Sequence, residues 1–168
     1  MSCWEKKSRA KAFEAIGVIE TEQTILVAAG IGSAWCYVQD IQNWASLMPG
    51  CRECTVIDAN DSRWVLKVGA GGLVRTVSVR VHIDQWDGPE RVIFSFKLDA
   101  DPVEGDGSYS ATRQADNATE ITLTIRVRGS GAMAPMWEAV SKPLLPMLAK
   151  SFAAKLKAEI EKTAGVSA

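Results

Sequence analysis

The feature that most constrains the fold is a row of six segments in which apolar and polar residues alternate, separated by short turns. The segments are 51–58, 62–69, 73–86, 91–98, 104–113 and 118–129. Alternation with a period of two is typical of strands with one buried face. The links are short and rich in Gly, Pro, Asp and Asn, which favours antiparallel neighbours, because a parallel pair needs a long crossover. The sequence therefore predicts an antiparallel sheet with one apolar face and one polar face.

Alternation also assigns side chains to the two faces. Residues such as Arg80 and His82 fall on the polar face. The apolar positions are Val77, Val79, Val81, Ile83, Val92, Phe94, Phe96, Leu98, Ile121, Leu123, Ile125 and Val127.

One further strand and two short helices are predicted ahead of this row. Partial alternation over 17–29 indicates the strand. Ser33 and Asp40 suit the N-cap positions of two short helices, and Pro49 with Gly50 suits the end of the second.

The C-terminal segment predicts a long helix with one apolar stripe. The stripe consists of Met133, Trp137, Val140, Leu144, Leu148, Phe152, Leu156 and Ile160. Pro143 and Pro146 predict a kink or short break at 141–146, because proline removes a backbone donor. This helix is the element available to cover the apolar sheet face. The fold class predicted is α+β, a curved seven-stranded antiparallel sheet gripping the long helix, with space left between the two.

Composition excludes several classes of function. The net charge is −1, so no overall field favours nucleic acid. No apolar h-region or membrane-spanning run is evident, and four cysteines are expected to be reduced thiols. We therefore expect a cytoplasmic protein with at most peripheral membrane contact.

Several short motifs resemble one known family. They are "SAWCYVQD" at 33–40, "MPGC" at 48–51, "VG" at 68–69 and "GSGAMA" at 129–134. With the order of elements, they make the chain similar to the helix-grip SRPBCC superfamily, which includes START, Bet v 1 and polyketide cyclase-like proteins. Within it, the chain most resembles the G-subunit family of carbon monoxide dehydrogenase. The resemblance predicts a single helix-grip domain over 17–164, preceded by an N-terminal extension at 1–16.

This resemblance implies a pocket for an apolar or amphipathic small molecule, lipid- or quinone-like. It also implies support of a molybdenum-containing dehydrogenase through maturation or membrane recruitment. Two departures weaken a membrane role. The chain ends at Ala168 without the C-terminal anchor of some relatives, and the basic extension at 1–16 is not part of the common pattern.

The CxxC motif at Cys51 and Cys54 has a spacing found in zinc and redox sites. Only Cys3, Cys36 and the single His82 are available as further Cys or His ligands. The motif enters a strand, where residues three apart point to opposite faces, and not the helix N-terminus that activates thiols. A structural corner is the preferred interpretation, with no metal or cofactor.

Other polar candidates have simple structural explanations. His82, on the polar face, is expected to be solvated and not a catalytic base. The acids Asp99, Asp101, Glu104 and Asp106 cluster at a predicted hairpin tip, where solvation is expected. The glycines at 69–72 are assigned to a hairpin turn, and those at 129–131 to close packing at the start of the helix. No catalytic residue is assigned.

The aromatic and methionine residues give the candidate site. Pockets for apolar ligands combine many apolar side chains with few polar anchors, and methionine adapts to apolar partners of different shape. Arg75 and Arg113 are candidate anchors. The candidate ligand-binding residues are Trp44, Met48, Trp64, Phe94, Phe96, Tyr109, Met133 and Trp137.

The sequence thus favours a non-enzymatic module that binds a hydrophobic small molecule. The alternative is an enzyme like a polyketide cyclase or dehydratase, with Tyr109 as the best proton donor. A molybdenum hydroxylase and a second copy of the chain are the protein partners that this interpretation admits.

Overall fold

The computed structural model describes residues 18–70 and 73–167, so the predicted extension at 1–16 lies outside the described residues. The elements in chain order are β1 (Val18–Val27), α1 (Ile31–Val38), α2 (Ile41–Leu47), β2 (Cys51–Val56), β3 (Asp61–Ala70), β4 (Leu73–Asp87), β5 (Arg91–Leu98), β6 (Val103–Ala115), β7 (Ala118–Gly129) and α3 (Ala134–Ser167).

All seven strands form one antiparallel sheet in the order β1-β7-β6-β5-β4-β3-β2. Strands β2 to β7 follow one another as neighbours, as their short links predict, and β1 pairs with the outer edge of β7. Ala70 pairs with Leu73 across the turn whose middle residues, 71 and 72, lie outside the description. The predicted helix-grip architecture is confirmed.

The predicted faces of the sheet are also confirmed. Val79 and Val81 of β4 are buried, whereas Arg80 and His82 between and beside them are exposed. The long helix α3 covers the buried face and packs mainly on β1 and β7.

The start of α1 differs from the prediction. The helix begins at Ile31 with Gly30 as its N-cap, and Ser33 lies inside the first turn. A Cβ atom at position 30 would lie 2.9 Å from the backbone oxygen of Asp116, so the close approach of a neighbouring loop explains a residue without a side chain there. Ser33 as N-cap was therefore wrong.

Both ends of α2 agree with the prediction. The carboxylate of Asp40 caps the helix by accepting a hydrogen bond of 2.9 Å from the backbone N–H of Gln42. Beyond the end of the helix, Gly50 adopts a φ of 81°, which suits glycine.

Helix α3 runs through Pro143 and Pro146 without the predicted break. Each proline deprives the carbonyl four residues earlier of its donor, at Ala139 and Lys142. All four residues are exposed, so water can satisfy the two carbonyls. Both prolines thus lie on the solvent side of the helix, where the missing bonds are tolerated.

A polar clamp fixes the C-terminal half of α3 to β1. The carboxylate of Glu161 accepts hydrogen bonds from the backbone N–H of Ala28, at 2.7 Å, and from the ammonium of Lys157. That ammonium also donates to the backbone oxygen of Leu26 at 2.9 Å. Two backbone groups at the end of β1 are therefore satisfied by side chains of the helix.

Glu161→Gln is expected to destabilise the domain by about 1 kcal/mol, because it weakens charge-assisted hydrogen bonds in this clamp. The bond from Lys157 lowers the pKa of Glu161. This stabilisation is present above the ordinary pKa of glutamate and is lost as the pH falls through the lowered pKa. Urea unfolding of both proteins at neutral and acidic pH measures the difference, which should shrink on acidification. A difference that grows as the pH falls would contradict the clamp.

Candidate ligand-binding site

An apolar cavity of about 210 Å³ lies between the sheet and the N-terminal half of α3. Its lining is Ile41, Trp44, Met48, Trp64, Leu66, Val68, Val77, Val79, Val81, Ile83, Phe94, Phe96, Leu98, Val103, Ser108, Leu123, Thr124, Ile125, Val127, Trp137, Val140, Ser141, Leu144, Leu145, Leu148, Ala149 and Phe152. Among these described residues the hydroxyl-bearing ones are Ser108, Thr124 and Ser141, and none of the residues is ionisable near neutral pH.

The position of the cavity follows from the way the helix is seated. Helix α3 packs on β1 and β7, at one side of the sheet. Its C-terminal half fills the space beneath it with Phe152, Leu156 and Ile160, which are at most 6% exposed. The N-terminal half contributes the half-buried Val140 and Leu144 beside the buried Leu145 and Ala149, and space remains between it and the strands that line the cavity.

Helix α2 closes one end of the cavity with Trp44, which is 6% exposed. Its ring packs edge-on against Phe94 and Tyr109, with centroid distances of 5.8 and 6.0 Å, and lies 6.0 Å from the ring of Phe152. The indole N–H donates to the backbone oxygen of Val38 at 2.5 Å. Ring packing and this bond together hold Trp44 in one orientation.

Two glycines on β6 lie against phenyl rings of the cavity lining. Gly105 pairs with Phe96 and Gly107 with Phe94, and each ring lies against the bare backbone of its partner. A Cβ atom at either position would collide with the ring and with a backbone oxygen of β7. The absence of side chains there lets both phenyl rings occupy positions that a Cβ atom would block.

Six of the eight residues predicted to bind ligand line this cavity: Trp44, Met48, Trp64, Phe94, Phe96 and Trp137. Met133 does not, because α3 begins one residue later and the side chain is 50% exposed. Tyr109 is fully buried, packs against Trp44 and is also not part of the lining. The helix residues Ser141, Leu144 and Leu148 line the cavity but were not among the candidates, although the apolar stripe contained the two leucines.

The hydroxyl of Tyr109 is buried and has no hydrogen-bond partner in the described structure. Desolvation raises the pKa of this phenol, so it stays protonated at neutral pH. A buried donor without a partner is rare and costs free energy. Tyr109 is therefore the polar group in the core that has an unused hydrogen bond to offer.

The candidate anchors Arg75 and Arg113 differ in their placement. Arg75 lies beside the cavity, where its guanidinium carbon is 5.6 Å from the ring centre of Trp137. Arg113 lies on β6 and is exposed, outside the cavity lining.

The four acids predicted to be solvated at a hairpin tip are each paired with an arginine, and three of them remain substantially exposed. Asp99 lies 3.1 Å from Arg63, and Asp101 lies 2.9 Å from Arg75. The side chain of Asp101 is only 13% exposed, which corrects the expectation of solvation at that position. The other two acids, Glu104 and Asp106, pair with the arginines of β7 at 128 and 126.

His82 is exposed on the polar face, as predicted, and borders a groove that is lined largely by charged residues. Its Nδ1 lies 2.8 Å from the carboxylate of Asp61, and this hydrogen bond raises the pKa of His82. The hydrogen bond and the solvent exposure together explain the residue structurally.

The CxxC motif sits at the corner between α2 and β2, as predicted, but its geometry differs. A bulge between Cys51 and Glu53 shifts the register, so Cys51 and Cys54 both pack against the core instead of pointing to opposite faces. Burial raises the pKa of both thiols. Raised pKa values oppose thiolate chemistry. Over the described residues, no group of three or more His, Cys, Asp or Glu side chains is placed to hold a metal ion.

Comparison with known proteins identifies a family with which this chain shares its sequence pattern. Residues 18–164 match the model of the family described as polyketide cyclase/dehydrase and lipid transport. No curated protein matches the chain. No helix in the described part of the chain is long and apolar enough to cross a membrane.

Solved structures with low sequence identity share the fold. A conserved protein from Geobacillus kaustophilus is 17% identical, with a TM-score of 0.75 over 86% of this chain and 97% of that one. The Zhui aromatase/cyclase from Streptomyces sp. R1128 is 17% identical, with a TM-score of 0.66 over 86% and 94%. A START superfamily protein from Mycobacterium smegmatis is 14% identical, with a TM-score of 0.60 over 82% and 97%. On the family match over most of its length, the chain belongs to the polyketide cyclase/dehydrase and lipid transport family.

Proposed function

We propose that this protein binds a hydrophobic small molecule, lipid- or quinone-like, in the cavity between the sheet and α3. The observation that carries the proposal is the lining of that cavity, which contains no ionisable side chain among the described residues. Acid–base catalysis needs a titratable group within hydrogen-bond reach of the substrate, whereas apolar binding needs only fit and desolvation. The lining therefore supports ligand binding more strongly than it supports acid–base catalysis.

The cavity volume limits what fits without rearrangement. An apolar cavity of about 150 Å³ is known to hold benzene. The present cavity of about 210 Å³ suits a small ring system or the end of an acyl chain. A larger ligand has to extend out past the half-buried residues of α3.

Native mass spectrometry of the purified protein, before and after organic extraction, tests this proposal. We expect co-purified apolar material, or saturable binding of an added fluorescent lipophilic probe. An empty protein that also binds no lipophilic probe would refute the function.

The alternative is a cyclase- or dehydratase-like enzyme. It is supported by the family and by the buried Tyr109 hydroxyl, which has no partner within the described structure. Tyr109 is fully buried and outside the cavity lining, so catalysis requires a rearrangement that exposes its hydroxyl to the substrate.

Tyr109→Phe distinguishes the two functions. If Tyr109 is structural, we expect the substitution to leave probe affinity unchanged and to keep or raise stability by up to about 1 kcal/mol, since it removes an unsatisfied buried hydroxyl. Thermal unfolding and probe titration measure both quantities. Turnover of a poly-β-ketone by the native protein that collapses in the variant, with binding retained, would establish the enzyme instead.

Support of a molybdenum-containing dehydrogenase is a further part of the proposal, and it rests on the resemblance to the G-subunit family of carbon monoxide dehydrogenase. Affinity purification from the native host, with the cavity variant Leu148→Trp in parallel, tests it. Recovery of a molybdenum hydroxylase with the native protein supports this role, and its absence from both samples contradicts it.

A further inference from the structure

Arg75 is a cation at the edge of the apolar face. It pairs with Val68 across β3 and β4 and lies two residues before Val77, so it shares the inner face with both. Val68 and Val77 line the cavity. The strand pattern therefore places the Arg75 side chain on the inner face of the sheet, next to the valines that line the cavity.

Two contacts fix the guanidinium at the rim. It lies over the ring of Trp137, which lines the cavity, and its Nη2 donates to the carboxylate of Asp101 at 2.9 Å. A cation over an indole face is a favourable arrangement. Asp101 is mostly buried, but the Arg75 side chain is 53% exposed. Since a guanidinium has five N–H donors, several remain available on the open side.

Beyond its pairing with Asp101, two features of Arg75 favour a second anion on its open side. Helix α3 begins at Ala134, three residues before Trp137, and its first turn carries no acidic residue. The positive end of the helix dipole therefore acts in the same sense as the guanidinium. Arginine also matches carboxylate and phosphate in geometry, through paired N–H groups.

We propose that the ligand is amphipathic, with an anionic head held by Arg75 at the rim and an apolar body inside the cavity. Asp101 positions the guanidinium. The inference rests on the proposed function and specifies its ligand class: a carboxylate, sulfate or phosphate joined to a hydrocarbon or ring system.

Paired probes with the same chain and different heads test this assignment. Dodecanoate and dodecanol are titrated at neutral pH into the native protein, Arg75→Gln, Arg75→Lys and the control Arg113→Gln, with tryptophan fluorescence and calorimetry as readouts. We expect dodecanoate to bind the native protein and the control at least tenfold more tightly than dodecanol. Arg75→Gln should lose that preference while binding dodecanol as before, and Arg75→Lys should keep part of it.

The outcomes separate the two proposals. Equal binding of both probes to the native protein, or a preference that survives Arg75→Gln, overturns the anionic head and leaves the apolar cavity function standing. Failure of both probes to bind the native protein overturns the cavity function and this inference together. Retained dodecanol binding by Arg75→Gln also shows that the variant is folded.

Discussion

Leu148→Trp is expected to weaken binding of an apolar probe at least tenfold. Leu148 is half-buried on α3 and lines the cavity. An indole directed into a space of about 210 Å³ occupies much of the volume that a ligand needs. Because the ring enters existing space, we expect the free energy of unfolding to change by no more than about 1 kcal/mol, less than overpacking a full core costs. Probe titration and urea unfolding measure the two effects.

Met147→Trp is the matched control on the adjacent residue. Met147 is 57% exposed and lies outside the cavity lining, so the same substitution should leave probe affinity unchanged. Equal affinity of native protein and Leu148→Trp would show that the probe binds elsewhere.

Trp44→Ala is expected to cost the domain about 3–5 kcal/mol of stability, the range for removing a large buried aromatic side chain. The indole is in contact with three other rings and satisfies the Val38 carbonyl, so its loss removes packing and a hydrogen bond together. For a chain of this size the melting temperature should fall by roughly 10 °C. Thermal unfolding followed by circular dichroism measures the change.

Trp86→Ala provides a comparison for Trp44→Ala. Trp86 is half-buried and has one aromatic neighbour, Trp35, at 6.1 Å. Trp86→Ala should therefore lower the free energy of unfolding clearly less than Trp44→Ala does. Equal losses for the two variants would contradict the view that Trp44 is the central packing residue at the closed end of the cavity.

The strand pattern was sufficient to predict the architecture. Val79 and Arg80 illustrate why, since alternation in a sheet with one covered face reports burial residue by residue. The local departures from this regular pattern could not be predicted from the sequence. Both departures depend on contacts between segments that are distant in sequence. One is the bulge that turns Cys51 and Cys54 to the same side, and the other is the loop whose backbone lies close to Gly30. No period or composition records such contacts.

The candidate site was predictable as a set of apolar side chains but not as a shape. Phe94 and Phe96 were assigned correctly to the inner face, yet the room for their rings depends on Gly105 and Gly107 of the next strand. Tyr109 shows the limit of residue type as a guide. It was predicted to contact the ligand, but it is fully buried against Trp44 and does not line the cavity.

The two halves of α3 pack differently on the sheet, and this difference bears on how a ligand could enter the cavity. One half of the helix is locked by buried side chains and the clamp at Glu161, while the other spans a hollow and lacks the amide donors at Pro143 and Pro146. Segments with few buried contacts open at a lower free energy than the whole domain. We therefore expect the N-terminal turns to open more readily than the rest of the domain, and a ligand bound in the hollow to stabilise them.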